Sequence, residues 1–98
     1  MERIIKARGT GKTRELMMNA LKVRKELGAP VVILCSNPRA MERKAYSYGV
    51  VGVDFKGYDE FHSIGEDSIY YIDEIEDFVK YYFNETGILK GYTLTNED

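Results

Sequence analysis

An α/β domain on a mainly parallel sheet of about five strands, flanked by helices, is the fold this sequence predicts. Two patterns carry the expectation. Short apolar runs alternate along the chain with stretches of helical period, as in strand-helix-strand units. The runs are also nearly continuous, as in Val31-Val-Ile-Leu-Cys35, which suits strands covered on both faces. A third feature is local: a basic, glycine-containing loop, Lys6 to Thr13, joins the first apolar run to the first helical stretch.

The elements follow in order. Arg3 to Ala7, with Ile4 and Ile5, reads as a first strand. A helix is expected from about Gly11 to Leu27, with Leu16, Ala20, Val23 and Leu27 on one stripe and Met17 and Leu21 widening it. Gly28 and Pro30 end it. Pro30 to Cys35 is the second strand, and Ser36-Asn37-Pro38 supplies a cap and a first-turn proline for a helix from Arg39 to about Tyr48. Gly49 stops that helix, and Val50 to Asp54 is the expected third strand. Tyr58 to His62 reads as a loop or one helical turn, and Ile69 to Ile72 as the fourth strand. A short helix over 74–83 and a fifth strand from Ile88 to Thr95 complete the chain.

With 98 residues, 44% hydrophobic and 31% charged, the chain has the composition of one globular domain spanning 1–98. One cysteine, Cys35, excludes an intrachain disulfide, and one histidine, His62, excludes multi-histidine metal sites and histidine triads. No apolar run reaches the length of a membrane span, and the N-terminus does not read as a secretory leader, so a cytoplasmic protein without membrane partners is expected. The net charge of −2 conceals an asymmetry: residues 1–50 carry eleven Lys and Arg against four Asp and Glu, and residues 51–98 three against twelve. Such halves either face different partners or fold together around a charged ligand and cancel.

The candidate chemistry starts in the loop. Gly9 and Gly11 permit a tight turn that aims successive N–H groups, Thr10 included, at phosphate oxygens ahead of a helix N-terminus. Lys12 then reaches the outer phosphates, and the Thr13 hydroxyl can ligate Mg²⁺. Lys12 is expected to face solvent in the free protein. Sixty residues on, Ile69-Tyr-Tyr-Ile-Asp-Glu74 is an apolar strand delivering two carboxylates at its end. Asp73 is placed to hold Mg²⁺ opposite Thr13, and Glu74 to act as general base. A plain strand end followed by an acidic helix start has the same pattern. Arg39, Arg43 and Lys44 form a small basic face on the second helix, and paired tyrosines such as Tyr70-Tyr71 fit one ring in the core and one at its edge.

Lys6–Thr13 resembles the Walker A loop of P-loop NTPases, with Lys6 in place of the first glycine, and Ile69–Glu74 resembles their Walker B segment. Cys35-Ser-Asn-Pro-Arg-Ala40 and Gly91-Tyr-Thr-Leu-Thr95 resemble two further helicase segments, one touching nucleic acid and one sensing the γ-phosphate. Together they make the chain similar to a single pared-down RecA-like core, and to the short P-loop proteins that phages and mobile elements encode. That resemblance implies nucleotide binding by Gly9, Thr10, Gly11, Lys12 and Thr13, with Mg²⁺ on Thr13 and Asp73 and catalysis by Glu74. It further implies γ-phosphate sensing by Thr93 or Thr95, and a closing strand in mid-sheet. The implied function is binding of ATP or another NTP, with slow hydrolysis that depends on a protein partner or self-association to bring an arginine finger. The competing expectation is an inactive scaffold of the same fold that docks on another protein through its acidic half. A nucleic-acid partner has weaker support, and a nucleotide kinase would need a lid and an acceptor pocket for which there is little chain.

Overall fold

The computed structural model describes Ile4, residues 11–65 and 67–84, and Gly91. The elements run α1 (Lys12–Leu27), β1 (Val31–Cys35), α2 (Pro38–Ser47), β2 (Asp54–Gly57), a 3₁₀ helix (Tyr58–Ser63), β3 (Ile69–Ile72) and α3 (Ile75–Asn84). The strands form a parallel sheet in the order β2-β1-β3, so the described residues make an α/β fold with three strands flanked by helices. The strands expected at Arg3–Ala7 and Ile88–Thr95 lie outside the described residues, apart from Ile4, which packs against the core, and Gly91.

β1 is central because every residue in it is apolar and can be covered on both sides. All five are buried, with Ile33 and Leu34 fully so. Val31, Ile33 and Cys35 share one face and pack with Leu16, Met17 and Ala20 of α1 and Met41 and Ala45 of α2. Alternation turns Val32 and Leu34 to the other face. The path from β2 back across β1 to β3 reverses the earlier direction, so a right-handed crossover brings the 3₁₀ helix onto that second face. Each large buried side chain contributes about 1.5–3 kcal/mol by leaving water.

The helix ends obey local chemistry. Gly28, left-handed at φ 67°, closes α1 by donating its N–H to the Arg24 carbonyl at 3.0 Å. Pro38 opens α2, and the Asn37 side chain accepts the Ala40 N–H at 3.2 Å. α1 is less buried than its stripe suggests, with Leu27 in its last turn exposed.

The third strand is displaced from its expected place. Val50 to Val53 is not strand: Val50 is buried under the end of α2, its N–H bonded to the Ala45 carbonyl at 2.8 Å. Gly52, at φ 92°, then turns the chain, and pairing begins only at Asp54, opposite Val32. Here a valine run marks a core plug, and the strand is the less apolar Asp-Phe-Lys-Gly that follows, at the edge of the described sheet. Among the described residues, no helix is long and apolar enough to cross a membrane.

Candidate functional site at the start of α1 and the end of β3

The parallel sheet brings the first turn of α1 to the carboxyl end of β3. Gly11, at φ 80°, precedes α1 in a left-handed conformation that favours glycine. Gly11 has no side chain to cap the helix, and among the described residues no side-chain cap bond is made by the N-cap position. Lys12 and Thr13 are the first helical residues.

At the other end, the β1–β3 ladder extends one residue past β3, where the Asp73 N–H donates to the Leu34 carbonyl at 2.9 Å. The chain then breaks sharply. Glu74 is the one non-glycine residue with positive φ among the described residues, at 58°. That conformation costs an L-residue roughly 1–2 kcal/mol. Two sets of contacts hold it. The Tyr58 hydroxyl donates to the Asp73 carbonyl at 2.6 Å and lies 3.4 Å from that of Glu74. The Glu74 carbonyl also accepts the N–H groups of Asp77 and Phe78, at 3.0 and 3.2 Å, as α3 begins.

The side chains meet across this junction. The Thr13 hydroxyl lies 3.3 Å from Asp73 Oδ1, a contact between residues 60 apart in sequence. Lys12 forms an ion pair with Glu74 through Nζ and Oε1. The expectation that Lys12 faces solvent therefore fails: it is one-quarter exposed and its charge is met by Glu74. The left-handed kink that turns Glu74 back towards the helix is the physical reason.

Burial, and then the neighbouring Glu74 charge, push the Asp73 carboxyl above the usual aspartate range, while the Thr13 hydroxyl and the Lys12 charge oppose the shift. The buried Tyr58 phenol is pushed up as well, chiefly by desolvation and next by Asp73. Cys35 sits behind the site, fully covered, and burial with Asp73 raises its thiol to about 11. It fits a small hydrophobe and not a nucleophile.

Of the residues singled out in the sequence, Gly11, Lys12, Thr13, Asp73 and Glu74 come together here. Gly9, Thr10, Thr93 and Thr95 lie outside the described residues. Arg39, Arg43 and Lys44 are exposed on α2, and His62 is an exposed member of the 3₁₀ helix, its ring against Phe61 and Tyr82. Tyr70 is exposed beside half-buried Tyr71, as their pairing suggests. Tyr58 was missed as a site residue. Its signal was an aromatic following a glycine at a strand end, which reads equally well as loop packing.

Thr13 and Asp73 offer hard oxygen donors of the kind Mg²⁺ takes. Among the described residues, no group of three or more His, Cys, Asp or Glu could hold a metal ion. Compared with protein-family models, curated proteins and solved structures, the chain matches none, so the site stands on its own geometry.

Proposed function

We propose that this chain binds Mg²⁺ with ATP or another NTP at the start of α1, as a P-loop protein of RecA-like ancestry, and hydrolyses it slowly. One observation carries the reading: Lys12 and Thr13 meet Asp73 and Glu74 side chain to side chain across 60 residues of sequence. A glycine turn and a surface lysine present by chance have no reason to be met by two carboxylates at a strand end.

Each residue has a role in that reading. Gly11 and the first-turn N–H groups of α1 receive phosphate oxygens. Lys12 exchanges its pairing with Glu74 for phosphate, and the released Glu74 carboxylate accepts a proton from the attacking water. Thr13 and Asp73 hold Mg²⁺, which would neutralise charge on the phosphates. The five-stranded core belongs to this proposal, with the segments 3–7 and 88–95 supplying the remaining strands.

Turnover of the isolated chain is expected below about one per second, since an arginine finger from outside contributes orders of magnitude. The scaffold alternative has one observation in its favour. The Lys12–Glu74 pair is complete without a ligand and serves equally as a structural clasp.

Calorimetric titration of Mg-ATP and Mg-GTP into the wild type and Lys12→Ala separates the two. Saturable binding in the wild type, lost in Lys12→Ala, supports the nucleotide site. No binding at millimolar nucleotide, or equal binding by both proteins, leaves the scaffold. Glu74→Gln should retain nucleotide and lose hydrolysis, because an amide keeps the shape but accepts no proton.

A further inference from the structure

Beside the junction lies a groove of about 380 Å³, at the carboxyl ends of β1 and β2, that the nucleotide reading leaves unused. Its walls are Pro38 and the rings of Tyr58 and Tyr81, whose centroids are 6.2 Å apart. Tyr58 is buried with its hydroxyl bonded to the Asp73 carbonyl, while Tyr81 is exposed and presents the accessible aromatic surface. The rim is acidic: Asp59, Glu60 and Asp77 line it. Among the described residues neither Asp59 nor Asp77 has an ion-pair partner, and the Glu60 carboxylate accepts the Gly57 N–H at 3.5 Å.

We propose that this groove takes an arginine-bearing segment of a partner protein. Charge complementarity selects a cation, and the absence of any three-carboxylate metal cluster among the described residues argues against a bare ion. Carboxylates spread around aromatic walls suit a wide, planar cation instead. A guanidinium stacks on an exposed ring such as that of Tyr81 while its N–H groups reach separate carboxylates. The same carboxylates repel a phosphodiester backbone, although helicase resemblance in Cys35–Ala40 would bring nucleic acid near this edge. The proposal is independent of nucleotide binding.

The test is fluorescence anisotropy with a labelled Gly-Arg-Gly-Arg-Gly peptide at low salt. Saturable binding should weaken at least about fivefold in Asp59→Asn/Asp77→Asn, as expected for losing two partly exposed ion pairs. The double variant Glu26→Gln/Glu42→Gln makes the same charge change on exposed positions of α1 and α2, and should stay within about twofold of wild type. Equal weakening in both variants reduces the effect to bulk charge and overturns the proposal, as does absence of saturable binding. So does tight binding of a single-stranded oligonucleotide that is lost in the groove variant. A concentration-dependent dimer in light scattering that Asp59→Asn/Asp77→Asn dissolves would make the occupant a second copy and also overturn it. Should the groove variant fail to fold, amide shifts of the wild type decide: the peptide must move Asp59, Asp77 and Tyr81 and leave Glu26 and Glu42 in place. Any other pattern rejects the groove.

Discussion

The Tyr58 hydroxyl donates to the Asp73 backbone carbonyl at 2.6 Å, tying the 3₁₀ helix after β2 to the chain as it leaves β3. That bond holds the peptide between two candidate site carboxylates, Asp73 and Glu74. It links the fold's second face to the site.

Tyr58→Phe removes only this hydroxyl and keeps the ring that packs edge-on against Phe78 at 5.5 Å. A part-buried carbonyl loses its short partner, so the cost should be about 1–2 kcal/mol in urea unfolding with an unchanged m-value. If the variant matches the wild type, the tether carries no stability.

Glu74 combines a left-handed backbone with a half-exposed ion pair, and the two effects can be separated. Glu74→Ala and Glu74→Gly both remove the carboxylate, but only alanine keeps the φ penalty. Glycine should therefore be the more stable by about 1 kcal/mol, the reverse of the order of these residues in a helix interior. Alanine equal or superior in denaturant melts would mean that Glu74 is not left-handed in solution.

Asp73 has a raised carboxyl, and the sign of its effect follows. An acid whose folded pKa exceeds its unfolded one holds more protons in the folded state. Its contribution to stability is then fully present at low pH and falls as pH rises from the ordinary aspartate range through the raised value. Asp73→Asn should abolish that decline, fold as well as wild type at neutral pH, and weaken the Mg²⁺-dependent part of nucleotide binding. Paired thermal melts and titrations across pH read both effects. A neutral-pH variant much less stable than wild type would contradict the burial cost.

Cys35 should ignore thiol reagents in the native protein at pH 8, because it is fully covered and its thiol titrates at about 11. Labelling should occur only through unfolding and accelerate with denaturant as the unfolded population does. As an acid raised on folding, it costs stability as pH climbs from the ordinary thiol value towards 11, and Cys35→Ala should remove that component. Rapid labelling without denaturant would show that β1 opens locally.

Much of this molecule was legible along the chain. Unbroken apolar residues at Val31–Cys35 call for a strand covered on both faces, and Asn37-Pro38 and Gly28 set helix ends through their own backbone chemistry. Those are local preferences, and they survive in the fold because nothing distant opposes them. The candidate site was legible in the same way, as a glycine-lysine-threonine turn and an apolar strand ending in two carboxylates. Tertiary structure alone decided the rest. Val50 became a plug under α2 and handed its strand role to Asp54–Gly57, because a buried position beneath the helix end outweighed β-propensity. Lys12 found Glu74 and Thr13 found Asp73 only because parallel pairing of β3 with β1 sets the end of one strand beside the start of a helix 60 residues away. Tyr58 acquired its tether to Asp73 through the same crossing. Local sequence encodes which groups are present; the register and direction of the strands determine which of them meet.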